Sequence, residues 1–310
     1  MIRLSEIAAI CGGTLRGPDA EINEEAFIDS RAAVPNGLFC AFRGERADGH
    51  EHVAAALAAG AGGALVDTPD AVGDAAPLVI VPNVQDAMGL LAARHVERLR
   101  SGLTVIGVTG SVGKTTTKDL IGAVLPDPTV ATRSSLNNEI GLPLTALRAT
   151  PATRYLVLEM GADKIGDIRY LTSLVAPDIA VVLAVARAHL GVFGGIEHVA
   201  RAKSEIITGL RPGGTAVLNA DDPRVAAMAP LAPGPVVRFG REPRDGDDDV
   251  TVAASDIALD ALGKATFTLR TPSGSARVHL GLVGEHHVNN ALAAAAVATA
   301  VGVPCEEVAR

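Results

Sequence analysis

The sequence predicts an α/β protein in two parts: a small mixed α/β N-terminal domain, then a mostly parallel sheet with helices on both faces. Three observations lead there. The chain has 310 residues, more than one typical domain needs. From Leu103 onward, short apolar runs alternate with helical segments, the pattern of parallel strands joined by crossover helices. Before that point the apolar runs are shorter, broken by Gly and Pro, and accompanied by one Ala-rich helix. The expected divisions are residues 1–84 for the first domain, 85–102 for a linker helix and 103–310 for the second domain.

In the first domain, the stretch from Gly37 to Phe42 alternates weakly and reads as a strand, and Ala64–Val66 and Leu78–Val81 read as two more. A helix is expected around Val53–Ala59. Residues 86–100 carry apolar positions at helical spacing, with Asp86 as the expected cap and Gly102 as the stop. In the second domain, Thr104–Val108, Tyr155–Glu159, Ile179–Leu183 and Thr215–Leu218 are apolar runs expected as buried strands. Helices are expected over Thr115–Val124, Glu197–Leu210 and His287–Val301. The segments Thr266–Arg270 and Ala276–Leu282, joined around Ser273-Gly274, read as a hairpin. The charged stretch 241–249, with its run of Asp, reads as a solvated turn rather than a metal site.

Composition narrows the function. Apolar residues make up 48% and charged residues 20%, an ordinary globular balance, and with no Trp, two Tyr and six Phe the core must be aliphatic. A formal charge of −8 argues against nucleic-acid binding. The cysteines, Cys11, Cys40 and Cys305, are few and far apart, which suggests neither a disulfide framework nor a zinc site. The N-terminus has no signal-peptide pattern, and the apolar run Ala291–Val303 is too short and too weakly hydrophobic to span a bilayer. A cytoplasmic protein, monomeric and without a membrane span, is expected.

The strongest chemistry lies after the Thr104–Val108 strand, where the chain reads Thr109-Gly-Ser-Val-Gly-Lys-Thr-Thr-Thr. Glycines let a loop turn tightly so that its N–H groups face one point, and the following helix directs its positive dipole end there. Gly110, Ser111, Val112, Gly113, Lys114, Thr115 and Thr116 therefore form a candidate phosphate cradle. Lys114 would reach the terminal phosphates, and the Thr115 hydroxyl would serve a magnesium ion. Val108 occupies the first glycine position of the full pattern, so the match is partial; its strand–loop–helix context is what gives it weight.

This loop resembles that of the Mur ligases, which build the peptide stem of bacterial peptidoglycan. Other segments fit the same family in the same order: Asp29-Ser-Arg, Gly44-Glu-Arg-Ala-Asp-Gly-His, Asn137-Asn-Glu-Ile-Gly-Leu-Pro-Leu-Thr and Glu159-Met-Gly-Ala. Further on come Ala188-His-Leu-Gly-Val-Phe, Ala202-Lys-Ser-Glu-Ile, Asn219-Ala-Asp-Asp-Pro and Gly284-Glu-His-His-Val-Asn-Asn-Ala. The resemblance covers nearly the whole chain. The Asn137 segment is most similar to the branch that adds D-alanyl-D-alanine to UDP-muramoyl tripeptide.

The resemblance implies an ATP-dependent, ADP-forming ligase that phosphorylates a substrate carboxylate and lets an amine attack the acyl phosphate. It implies ATP and Mg²⁺ as cofactors, with Lys114, Glu159, His189 and Lys203 catalytic and Thr115, Glu159 and His189 as magnesium ligands. In relatives the lysine matching Lys203 can be carbamylated, a reaction that needs a partly desolvated amine. Asn290 matches a residue near adenine, although His287 departs from the family's usual Asn. Ser30 and Arg31 match the uridine-nucleotide segment, and Asn137 and Asn138 match a segment near the muramoyl peptide. Turn geometry alone would also account for these two asparagines. Mur ligases carry a third domain that brings the amine substrate, and this sequence ends at Arg310, so the expectation is two of three domains and no ligation by the chain alone. Alternatives remain open: another branch of the same ligases, a folylpolyglutamate synthase (disfavoured because those lack the first domain), or a non-catalytic nucleotide-binding module.

Overall fold

The computed structural model describes residues 2–44, 47–186, 195–241 and 251–310. It divides into two compact units, one of residues 1–101 with 139–150, the other of residues 102–138 with 151–310.

In the first unit β1 (Ile2–Arg3) pairs antiparallel with β3 (Glu21–Ile22). A five-stranded sheet holds β2 (Thr14–Arg16), β4 (Ala26–Phe27), β5 (Leu38–Cys40), β6 (Gly63–Val66) and β7 (Leu78–Ile80) in the order β2-β7-β6-β5-β4. The four strands from β4 to β7 run parallel, and β2 closes one edge antiparallel. Strand side chains alternate between faces. Leu38, Cys40, Leu65 and Val79 therefore enter one core with Leu4, Ile7, Met88 and Leu91, whereas Phe39, Ala64, Val66 and Leu78 enter another with Phe27, Val53 and Ala56.

The expected linker helix is part of this unit. It spans Val84–Leu99 and buries Val84, Ala87, Met88, Leu91, Ala92 and Val96, an i, i+3, i+4, i+7 stripe. Its cap is Asn83 rather than Asp86: the Asn83 side chain accepts the Asp86 N–H at 2.9 Å. The chain also returns here with the Gly141–Ala146 helix, whose Leu144 joins the same core.

The second unit is built on one nine-stranded sheet. Its strands are β8 (Thr104–Thr109), β9 (Thr129–Ala131), β10 (Tyr155–Glu159), β11 (Ile179–Val182), β12 (Thr215–Asn219), β13 (Val236–Arg241), β14 (Val252–Leu259), β15 (Lys264–Thr271) and β16 (Gly274–Val283). The order is β16-β15-β14-β13-β12-β11-β8-β10-β9. From β9 to β14 every pairing is parallel, and the β14–β15 and β15–β16 pairings are antiparallel. The expected hairpin is thus the edge of the parallel sheet, and its turn is Pro272-Ser273, with Thr271 opposite Gly274. Strands β8, β10, β11 and β12 are buried on both faces, the reason they read as continuous apolar runs.

One face of this sheet packs Ile106, Val108, Val157, Val181 and Val217 against the alanine-rich helix His287–Ala300 and the helix Lys114–Val124. The opposite face carries the helix Ile196–Thr208, whose Ile206 Cδ1 would lie 3.1 Å from a Cβ at Gly107. The chain leaves β8 for β9 on one side, returns to β10, and then crosses to β11 on the other. The C-terminal end of β8 is therefore a topological switch point, where open α/β sheets place their ligands.

Candidate active site

The loop at this switch point is pinned from both sides. Thr109 Oγ1 donates to Met160 O at 2.8 Å, tying the ends of β8 and β10. Ser111 N–H donates to Ala184 O at 2.9 Å, and Ser111 Oγ accepts Ala186 N–H at 3.0 Å. The loop ends at Gly113, which caps the Lys114–Val124 helix in a left-handed conformation, φ 83°. The helix starts at Lys114, so the Thr115 and Thr116 of the motif lie in its first turn, at its positive end. Lys114 Nζ donates to Gly110 O at 3.0 Å, which folds the ammonium over the loop. Val112, 60% exposed, forms the loop's outer tip.

Glu159 ends β10 and is buried, with 1% of its surface exposed. Both of its carboxylate oxygens have donors. Thr115 Oγ1 donates to Oε2 at 2.9 Å, and Asn137 Nδ2 donates to Oε1 at 2.8 Å. Ser135 Oγ lies 3.4 Å from Thr115 Oγ1. Asn137 is clamped in turn, because Gly161 N–H donates to Asn137 O at 2.8 Å and the Asn137 Oδ1 atom would lie 2.8 Å from a Cβ at Gly161. The left-handed residue of this loop is Ser134, φ 51°, rather than either asparagine. Asn138 is exposed beside Asn137.

Lys203, on the Ile196–Thr208 helix, is 4% exposed. Burial pushes its amine down to about 8, the nearby Lys114 ammonium pushes the same way, and Asp163 and Asp167 oppose them. Asn290 sits in the first turns of the His287–Ala300 helix, against the loop: its Oδ1 would lie 2.5 Å from a Cβ at Gly113. Its Nδ2 lies 3.1 Å from His287 Nδ1.

The structure thus gathers Lys114, Thr115, Asn137, Glu159 and Asn290 around one loop. His189 lies outside the described residues, as does most of the charged stretch 241–249. Ser30 and Arg31 belong to the first unit, in the turn Ser30–Ala32, where Asp29 accepts the Arg31 N–H at 3.0 Å and the Arg31 guanidinium at 2.9 and 2.7 Å. The sequence does not single out Lys118 and Thr132, both buried: Thr132 Oγ1 accepts the Glu159 N–H, and Thr132 O accepts from Lys118. The available signal was Lys118 itself, a lysine three residues before the buried Ile121 on the inward stripe of the helix.

The chemistry of the donor set fits a hard cation. A carboxylate and hydroxyls beside the glycine loop suit Mg²⁺, which takes few protein ligands and completes its shell with other oxygens, such as those of water. Among the described residues, no group of three His, Cys, Asp or Glu side chains offers an all-protein metal cage.

Residues 108–298 match the Mur ligase middle domain.

The chain belongs to the Mur ligase family. Relatives named UDP-N-acetylmuramoyl-tripeptide–D-alanyl-D-alanine ligase are 43% identical in Mycobacterium bovis and 38% identical in Escherichia coli, each alignment covering 99% of this chain. It spans 64% and 66% of their lengths. The Mur ligase MurF from Acinetobacter baumannii superposes with a TM-score of 0.86 at 36% identity, over 99% of this chain and 66% of that one. MurF from Thermotoga maritima, solved in complex with ADP, gives 0.76 at 28% identity over 93% and 66%. Among the described residues, no helix of this Mur ligase chain is long and apolar enough to cross a membrane.

Proposed function

We propose that the chain is the nucleotide-binding and carboxylate-activating part of an ADP-forming ligase that joins D-alanyl-D-alanine to UDP-N-acetylmuramoyl tripeptide, acting as a monomer in the cytoplasm. The observation that carries this reading is the hydrogen-bonded group Thr115–Glu159–Asn137 beside the Gly110–Lys114 loop. In the reaction, the γ-phosphoryl group of ATP passes to the substrate carboxylate, leaving ADP. The amine then attacks the acyl carbon, forms the amide, loses a proton and expels phosphate.

Charge neutralisation around the moving phosphoryl group is the main task of such a site. The loop from Gly110 to Thr116 cradles phosphates. Lys114 exchanges its bond to Gly110 O for phosphate oxygens. Thr115 and Glu159 would hold Mg²⁺, and His189 would serve a second ion; bound there, the metal offsets negative charge on the phosphates. Lys203 supports the carbamylation reading, because an amine with a pKa near 8 is in part neutral at physiological pH and so able to attack CO₂. Asn290 would face adenine, Ser30 and Arg31 the uridine nucleotide, and Asn138 the muramoyl peptide. Asn137 holds Glu159 as well.

Calorimetry with ADP and magnesium tests the nucleotide reading. Lys114→Ala should weaken binding roughly ten- to a hundredfold, the loss of a charge-assisted contact of about 1.5–3 kcal/mol. Equal affinity in wild type and variant would overturn it. For the substrate, UDP-muramoyl tripeptide should raise the melting temperature of the chain more than UDP-muramoyl dipeptide does. Equal shifts would point to another branch of the family.

A further inference from the structure

We propose that Lys118 and Thr132 are positioning residues for Glu159 and set how strongly magnesium strengthens nucleotide binding. The inference rests on the reading of Glu159 as a metal ligand.

Lys118 lies one helical turn after Lys114 but points inward, and its side chain is 3% exposed. Its Nζ donates to Thr132 O at 2.7 Å and pairs with Asp119, whose own side chain is 65% exposed. Thr132 directly follows β9 and is 2% exposed. Its backbone N–H donates to Val157 O at 3.0 Å, and its Oγ1 donates to the same oxygen at 3.3 Å. That Oγ1 accepts the N–H of Glu159 at 3.0 Å. A continuous path therefore runs from the ammonium of the phosphate-loop helix, through one threonine, to the backbone of the buried carboxylate. The same helix also supplies Thr115, which bonds the other end of Glu159. The helix thus bonds the Glu159 carboxylate directly through Thr115, and reaches the Glu159 backbone through Lys118 and Thr132.

Stability alone does not explain the ammonium. Burying a charge costs several kcal/mol, and apolar replacements of buried ions are often neutral or stabilising. Thr132 O needs one donor, which a neutral side chain could supply. What the ammonium adds is a charge-assisted bond that fixes the end of β9 against the phosphate-loop helix. Groups that orient a metal ligand without touching the metal typically account for about 10–100-fold in metal affinity.

The test is calorimetry on the purified chain, with ADP titrated in excess magnesium and again in EDTA. The readout is the ratio of the two affinities. Lys118→Met keeps the unbranched stem but not the terminal ammonium, and so removes the charge. Thr132→Val keeps the shape, removes the hydroxyl and leaves the carbonyl used by Lys118. Both should bind ADP in EDTA as wild type does, yet lose about tenfold or more of the magnesium enhancement. Thr132→Ser restores the hydroxyl and should restore the enhancement. If Lys118→Met does not fold, the Thr132 pair decides. A wild-type chain whose ADP affinity is indifferent to magnesium overturns the metal reading, and this inference falls with it. A wild type that shows the enhancement, with Thr132→Val showing the same ratio, overturns the positioning role alone.

Discussion

The hydroxyl of Thr115 donates to the carboxylate of Glu159 at 2.9 Å, joining the first turn of the Lys114–Val124 helix to the end of the neighbouring strand β10. The bond crosses 44 residues of sequence and closes one side of the loop's mouth. A hydrogen bond to an ionised acceptor contributes about 1.5–3 kcal/mol, more than a neutral one. Glu159→Gln keeps the shape and an acceptor oxygen while removing the charge. The variant should fold with a modestly lower melting temperature and bind ADP in EDTA normally, but gain nothing from magnesium. Calorimetry with and without the metal decides. A preserved magnesium effect would mean that Glu159 is not a ligand.

Lys203 gives a pH dependence whose sign follows from its burial. The folded chain holds this amine near a pKa of 8, against an ordinary value of 10.5. Between those values the unfolded chain binds more protons, so this residue makes stability rise with pH across the window. Lys203→Met removes that contribution. Denaturant unfolding should show wild type gaining on the variant from about pH 8 to about pH 10.5, with the variant more stable below the window. Parallel curves would show that the amine is not desolvated in solution.

Much of this site was legible because its parts are local. A buried strand, a glycine turn and a lysine at a helix start occupy consecutive positions from Thr104 to Lys114, so periodicity and motif agree. What escaped was non-local or small. Strand β9 has only three half-buried residues, and polar or small residues interrupt the apolar ones in β13 and β14, so none stands out as an apolar run. The return of Gly141–Ala146 to the first unit depends on Leu144 meeting a core formed by residues far off in sequence. Asp86 and Asn83 both suit a cap, and the choice falls to Asn83 because the buried stripe already begins at Val84. Lys118 reads as solvated by residue type, and only its place on the inward stripe argues otherwise.

In the first unit, His50 is buried between two carboxylates, with Nδ1 2.6 Å from Asp48 Oδ1 and Nε2 3.1 Å from Asp67 Oδ1. Asp48 is held down to about 2, first by the His50 backbone N–H, then by the His50 ring and the Arg43 guanidinium. A carboxylate depressed in this way stabilises the fold above its ordinary value of 3.8, and the benefit disappears as pH falls toward about 2. Asp48→Asn should therefore be less stable than wild type at neutral pH, and the difference should shrink on acidification through that window. Circular dichroism of acid unfolding measures it, and a difference that stays constant would rule out the linkage.

Gly113 and Asn290 test how closely the His287–Ala300 helix abuts the Gly110–Gly113 loop. Gly113 has φ 83°, a conformation that costs an L-residue roughly 1–2 kcal/mol. A Cβ there would also lie 2.5 Å from Asn290 Oδ1. Gly113→Ala should thus destabilise through two separate effects, only one of which involves the asparagine. Asn290→Ala removes the contacted atom, so in the double variant the steric part disappears while the backbone part remains. The two substitutions should be less than additive, with a coupling of about 0.5–3 kcal/mol by urea unfolding, as expected for side chains in contact. ADP affinity should follow the same pattern, because the loop can keep its shape only if the helix yields. Additivity within about 0.5 kcal/mol would show that the asparagine does not rest on the loop.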